Sequence, residues 1–141
     1  MALQDNRFPT PIGEIFYFPI DPDEDDGDNF LFSDEQSALR FAKDHGESYG
    51  VKGVPKKADI LSYNMQEPVL DEYDCDRDQI PSDFSCVGSL AYLTRPDSGE
   101  PDRFFASALD VARFSTWRKK DFKVTISTKF QILPVLKLDS L

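Results

Sequence analysis

The sequence predicts an α+β fold in a single domain, residues 1–141, built from two copies of one unit. Its length and its 40% content of hydrophobic residues are sufficient for one folded core. One stretch occurs twice: Leu31–Phe41 reads LFSDEQSALRF, and Phe104–Phe114 reads FFASALDVARF. The order of hairpin, helix and strands also recurs around both stretches. We therefore predict two ββαββ pseudo-repeats, residues 14–63 and 87–138, with a mostly antiparallel sheet and one helix per repeat.

The first pseudo-repeat contains four stretches that favour strands. They are rich in β-branched and aromatic residues and are bounded by Pro, Gly, Asp or Ser. These predicted strands are Glu14–Ile20, Asn29–Phe32, Val51–Val54 and Ala58–Tyr63.

A helix is predicted between the second and third of these strands. Ser33 or Asp34 is the expected N-terminal cap, because a side-chain oxygen at that place accepts from a free backbone N–H. The residues at i, i+3, i+4 and i+7 form an apolar face, namely Ala38, Phe41, Ala42 and His45. Gly46 is the expected end of this helix.

The second pseudo-repeat is predicted to follow the same order. Its helix begins at Ser107, with Asp110 in the first turn. The predicted strands are Val87–Leu93, Arg103–Ala106, Phe122–Ser127 and Phe130–Leu138. Chance similarity between two amphipathic segments is the alternative to duplication.

Two stretches concentrate negative charge in a chain whose net charge is −10. The loop at residues 21–28 reads DPDEDDGD, and an acidic connection, residues 64–86, joins the pseudo-repeats. Like charges at this density favour exposed segments that attract a basic surface. The predicted partner-binding residues are Asp21, Asp23, Glu24, Asp25, Asp26 and Asp28 in the loop and Asp71, Glu72, Asp74 and Asp76 in the connection. The alternative interpretation is that these carboxylates only keep the protein soluble.

The sequence favours no catalytic, metal or cofactor site. The loop at 21–28 lacks both the Gly at the turn and the Glu at the end of a calcium loop. Cys75 and Cys86 are not spaced as a zinc pair, and His45 is the single histidine. No phosphate-binding glycine motif, nucleophile elbow or HExxH motif occurs. We therefore expect no enzyme activity, no cofactor and no metal.

The charge also makes direct nucleic-acid binding unfavourable, because affinity for phosphates comes from Lys and Arg. Basic residues cluster near Arg113–Lys123, which is more typical of a helix C-terminus. We expect no membrane span and no secretory signal, and hence a cytoplasmic protein with reduced cysteines.

Three functional hypotheses follow. The first is a non-enzymatic acidic module that binds a basic protein, such as one that acts on nucleic acids. In physical type it resembles microbial immunity proteins and phage-encoded inhibitors, which are small, acidic and without catalytic motifs. The second is an assembly subunit that forms homo-oligomers through strand edges. The third is a ligand-binding or enzymatic domain with a pocket between the pseudo-repeats.

Overall fold

The computed structural model describes residues 8–18, 30–51, 53–63, 66–67, 70–71, 80–93, 103–122 and 130–139, with side chains of the second helix described through Thr116. These residues form six strands and two helices. They are β1 (Thr10–Tyr17), β2 (Leu31–Phe32), α1 (Glu35–Tyr49), β3 (Lys56–Ser62), β4 (Phe84–Leu93), β5 (Arg103–Phe105), α2 (Ala108–Phe122) and β6 (Phe130–Leu138). The α+β class is confirmed.

The predicted ββαββ unit is not what the described residues form. Each half of the chain contributes three strands and one helix, in the order ββαβ. Val51, Gly53 and Val54 lie outside any strand, because the chain turns here between α1 and β3. Phe122, the first residue of another predicted strand, is the last residue of α2. The rest of that predicted strand lies outside the described residues.

The six strands form a closed, mixed sheet in the order β1-β2-β6-β4-β5-β3. Four neighbouring pairs are antiparallel, whereas β2 with β6 and β3 with β5 are parallel. The parallel pairs join the halves, because each half's short strand pairs with the last strand of the other half. Leu31 pairs with Val135 in one of them, and Phe104 pairs with Ile60 in the other.

The register of β1 on β3 recurs in β4 on β6. Each ladder has one register shift, at Pro11/Gly13 in β1 and at Cys86/Gly88 in β4. The glycine after the shift pairs with Ile60 in the first ladder and with Val135 in the second.

The barrel has two chemically different ends. β1 and β4 run in one direction and the other four strands run in the opposite direction. We call the end at which β1 and β4 finish, at Tyr17 and Leu93, the loop end. The opposite end, the cap end, holds the first turns of both helices and the last residues of β3 and β6.

The barrel interior is filled by one apolar cluster, and each helix covers a second cluster on the outside. The interior residues include Leu90, Phe104 and Leu133, which are fully buried. α1 contributes Phe41 to an aromatic cluster with Phe32 and Phe84. α2 packs through Val111 and Phe114 on Ala91, Leu93 and Phe105.

Helix α1 is longer than the sequence predicted, and Gly46 has another role. The helix continues to Tyr49 and ends at Gly50, whose φ of 69° is the left-handed conformation of a C-terminal cap. A Cβ on Gly46 would lie 2.8 Å from the carbonyl oxygen of Val51. The glycine is required because the chain that leaves the helix packs against it.

Candidate functional site

The structure describes one of the ten predicted partner-binding residues, Asp71, whose side chain is exposed. The other nine lie outside the described residues: Asp21, Asp23, Glu24, Asp25, Asp26, Asp28, Glu72, Asp74 and Asp76. Their flanking residues are described. The acidic loop follows Phe18 and precedes Phe30 at the loop end. The acidic connection follows Tyr63 at the cap end, and its predicted last residues, 84–86, are the first residues of β4. The two acidic segments therefore attach at opposite ends of the barrel.

The acidic connection is fixed where it leaves β3. The Tyr63 N–H donates to Asp110 Oδ1 at 2.8 Å. Asp110 lies in the first turn of α2 and is 3% exposed. It also accepts from the hydroxyls of Ser62 at 3.1 Å and Ser107 at 3.0 Å. Because its hydrogen bonds are supplied by these donors, this buried carboxylate serves as a structural tie.

Tyr63 packs under a cation at the same place. The Arg113 guanidinium lies 4.6 Å from the centre of the Tyr63 ring, a distance typical of a cation–π contact. Burial raises the pKa of Tyr63, the charge of Arg113 opposes that rise, and the carboxylate of Asp110 adds to it. Arg113, which belongs to the basic cluster noted in the sequence, thus makes a contact with Tyr63 of the same chain.

A second attachment holds the connection on β4. The Ser89 N–H donates to the carbonyl oxygen of Asp71 at 2.9 Å, as part of an antiparallel bridge. Leu70, the preceding residue, packs on the interior cluster. Gly88 makes room for both, because a Cβ there would clash with Leu70 Cβ and lie 3.0 Å from the Asp71 carbonyl oxygen. The bridge leaves the Asp71 carboxylate in solvent.

A third attachment lies just before β4. His45 Nε2 and Asp83 Oδ1 are 2.9 Å apart, and the Asp83 carbonyl accepts from the Asp139 N–H at 2.9 Å. Ile80 packs on the aromatic cluster below α1. His45 is half buried and its ring contacts those of Phe41 and Phe84. This is the packing role that its place on the apolar face of the helix predicts.

Residues 72–79 are thus bounded by two fixed points on the barrel surface. Glu72, Asp74 and Asp76 belong to this segment.

The attachments were not foreseen in the sequence, although a signal for one of them exists. IGEIFYF, residues 12–18, aligns with VGSLAYL, residues 87–93, with Gly13 over Gly88. The predicted first strands of the two pseudo-repeats, Glu14–Ile20 and Val87–Leu93, instead place Glu14 over Val87, which is two residues out of register with this alignment. The glycines mark the register shifts and point to a place of close approach.

Two further groups of the sequence analysis are partly described. Cys86 is half buried and its thiol donates to the Gly88 carbonyl at 3.4 Å, whereas Cys75 lies outside the described residues. In the part of the chain that the structure covers, no cluster of three or more His, Cys, Asp or Glu residues is arranged to hold a metal ion. Neither α1 nor α2, as far as they are described, is long and apolar enough to cross a membrane.

Comparison of the chain with protein-family models, with curated proteins and with solved structures finds no match.

Proposed function

We propose that the protein is a non-enzymatic acidic module that binds a basic protein partner, as an inhibitor or immunity-type protein does. The partner class that fits best is a protein that acts on nucleic acids, because such proteins carry basic surfaces that recognise phosphates. The observation that carries the proposal is the placement of acidic residues. They concentrate in two segments attached to a closed barrel, and one of these segments is fastened on both sides of its carboxylates.

The two segments would act as separable binding surfaces. They attach at opposite ends of the barrel, so neutralising one leaves the other unchanged. Clustered carboxylates accelerate association with a basic partner, and salt weakens that effect.

The test uses three variants that each remove four negative charges from a net charge of −10. The loop variant changes Asp23→Asn, Glu24→Gln, Asp25→Asn and Asp26→Asn. The connection variant changes Asp71→Asn, Glu72→Gln, Asp74→Asn and Asp76→Asn. The matched control changes three exposed residues of α1 and the exposed residue after β6, by Glu35→Gln, Asp44→Asn, Glu47→Gln and Asp139→Asn.

The partner is first identified by cross-linking, co-purification and mass spectrometry, and association is then followed by stopped flow over a range of salt. At least one acidic-segment variant should associate about tenfold more slowly at low salt and show a flatter salt dependence. The control should change much less. If all three variants behave alike, total charge alone is responsible and the proposed binding surfaces are refuted.

We also infer that the two halves come from duplication of a ββαβ unit. Both helices are 15 residues long, and α2 begins 73 positions after α1 (108 − 35). Phe41 and Phe114 have the same spacing (114 − 41 = 73), and both are buried. A chain with residues 35–49 copied in place of 108–122 should then still unfold cooperatively. Loss of cooperative unfolding would count against a common origin.

A further inference from the structure

One side of β1 lacks a partner among the described residues. β2 pairs with β1 only at Phe16 and Tyr17 and then leaves, because the Ser33 N–H donates to the carbonyl of Leu136 in β6 at 3.1 Å. From Thr10 to Ile15, the described chain provides no strand on this side. An unpaired strand edge is a template for another extended segment.

The matching side of β4 is covered by the chain itself. Asp71 pairs with Ser89 on the side of β4 that β5 occupies further along. Ser89 follows the glycine of the β4 register shift, as Glu14 follows the glycine of the β1 register shift. The covered position is buried, with Ser89 3% exposed. On β1, Gly13 is half buried and the Glu14 side chain is 53% exposed.

The backbone of Glu14 is directed towards this open side. The Ser89 N–H donates to the Asp71 carbonyl oxygen and therefore points away from β6. The residue opposite Ser89 in β6 is Pro134, which has no N–H to donate. In the β1–β3 ladder, the pair Glu14 and Asp59 corresponds to the pair Ser89 and Pro134 of the β4–β6 ladder. The N–H and C=O of Glu14 therefore face away from β3.

We propose that this edge of β1 binds an extended segment of the basic partner by strand addition. The segment would imitate Leu70–Asp71, with an aliphatic residue over Gly13 and the next residue paired with Glu14. The basic character of the segment rests on the proposed function; the strand edge does not.

Charge favours Lys or Arg, and not Asp, at the residue opposite Glu14. Glu14 and Asp59 are directly opposed carboxylates, an unfavourable pair on neighbouring strands. Lys57 Nζ lies 3.7 Å from Glu14 Oε1 and offsets the repulsion in part, since both side chains are more than half exposed. A cation on an added strand would face the same carboxylates.

The probe is a capped peptide of alternating lysine and valine or leucine, added to the full-length protein. Its control is the same peptide with alternate backbone nitrogens methylated, which keeps the charge but cannot pair. At a peptide concentration of about nine times its Kd, exchange of the Glu14 amide should slow by about tenfold. The methylated peptide should not slow it. Equal binding of both peptides would refute strand addition in favour of charge attraction alone.

Two variants locate the site. Glu14→Pro removes the outward N–H and should weaken peptide binding by at least about tenfold, whereas Glu14→Gln, which keeps the N–H, should weaken it by about threefold or less. Equal affinities of wild type and Glu14→Pro would overturn the proposal. If Glu14→Pro does not fold, hydrogen exchange of the Glu14 amide in the wild-type protein, measured without and with the peptide, is the deciding experiment. Fast exchange that the peptide slows supports the site, whereas slow exchange that the peptide leaves unchanged means that this chain or a second copy already covers the edge.

The loop variant separates this inference from the proposed function. It should bind the peptide as the wild type does, because the acidic loop follows the C-terminal end of β1, whereas the proposed binding edge lies around Glu14. If the loop variant loses peptide binding and Glu14→Pro keeps it, strand addition fails and the acidic-surface proposal stands. If neither acidic-segment variant changes the rate of association with the partner while the peptide still binds at Glu14, the acidic-surface proposal fails alone.

Discussion

At the scale of single residues, two glycines allow close approaches of other backbone, and one of them, Gly88, lies at the candidate site. Gly88 combines a φ of 147°, which side chains rarely adopt, with contact to Leu70 and Asp71. Gly46 combines ordinary helical geometry with contact to the Val51 carbonyl. Gly88 is needed both for its backbone conformation and because a Cβ would not fit there, whereas Gly46 is needed only because a Cβ would not fit.

Substitution of Gly88 should therefore cost more than substitution of a glycine that needs only its conformation. Gly88→Ala combines backbone strain with overpacking, and we expect a loss of about 2–4 kcal/mol in denaturant unfolding. The control is Gly53→Ala, because Gly53 has a φ of 91° and no atom near the added Cβ. It should cost about 1 kcal/mol. Equal losses would show that Leu70 does not pack where the structure places it.

Removal of one buried hydroxyl, that of Ser115, is expected not to lower the stability of the protein. Ser115 is 4% exposed and its Oγ has no hydrogen-bond partner among the described residues. Ala42 occupies the corresponding place in α1 (115 − 73). Ser115→Ala should leave stability unchanged or raise it by up to about 1 kcal/mol.

The comparison for this change is Ser62→Ala. The Ser62 hydroxyl donates to buried Asp110, so its loss leaves a carboxylate with fewer donors. We expect a cost of about 1–3 kcal/mol from thermal and denaturant melts. A larger loss for Ser115→Ala than for Ser62→Ala would contradict the assignment.

At the scale of elements, both helices begin with the same pair of residue types in reversed order. Asp34 caps α1 and accepts from the Ser37 N–H at 2.7 Å, whereas Ser107 caps α2 and accepts from the Asp110 N–H at 3.3 Å. The inner member of each pair reaches the other half. Ser37 Oγ accepts from the Leu138 N–H as Asp110 accepts from Tyr63. Each helix cap therefore also fixes the end of a strand.

The packing of each helix depends on one phenylalanine. Phe41 is fully buried and its ring contacts those of Phe30, Phe32 and Phe84. Phe41→Ala should cost about 3–5 kcal/mol in denaturant unfolding, because the rigid ring cluster cannot close the cavity.

Phe114→Ala provides the matched change on α2. Phe114 is 5% exposed, its ring packs at a tilt against Phe105, and the Arg103 guanidinium lies over its face. We expect about 3 kcal/mol, at the low end of the same range. A loss below about 1 kcal/mol in either variant would place that ring outside the core.

At the scale of the whole molecule, the barrel closes only by pairing between the halves. β2 lies on β6 and β5 lies on β3, so neither half has a complete sheet by itself. The core follows the same rule, since Ile60 of the first half and Leu133 of the second fill one interior.

Cleavage within residues 72–79 should therefore give two fragments that depend on each other. We expect each purified fragment alone to lack cooperative unfolding, and the mixture to recover the circular dichroism and melting of the intact chain. The recovered complex should be less stable than the intact chain at low concentration, because association now costs entropy. Independent folding of either fragment would show that the cross-pairing of short strands is dispensable.

The sequence by itself determined the α+β class, the starts of both helices and one strand in full. Asp34, one of the two predicted caps, begins α1, Ser107 caps α2 as predicted, and β6 spans Phe130–Leu138 as predicted. These features were predictable because a cap or an apolar period is encoded within a few neighbouring residues. The ten partner-binding residues were likewise chosen from local charge, and they stay a prediction.

Only the tertiary structure decided which strands meet and where the acidic connection is held. The alignment of β1 with β4 was two residues out, because aromatic strands resemble one another at any even shift. The parallel pairing of β2 with β6 joins residues about a hundred positions apart, which no local pattern records. The same holds for the tie from Tyr63 to Asp110 and for Leu70 over Gly88. Register between distant strands depends on packing across the closed barrel, and that packing exists only once both halves have come together.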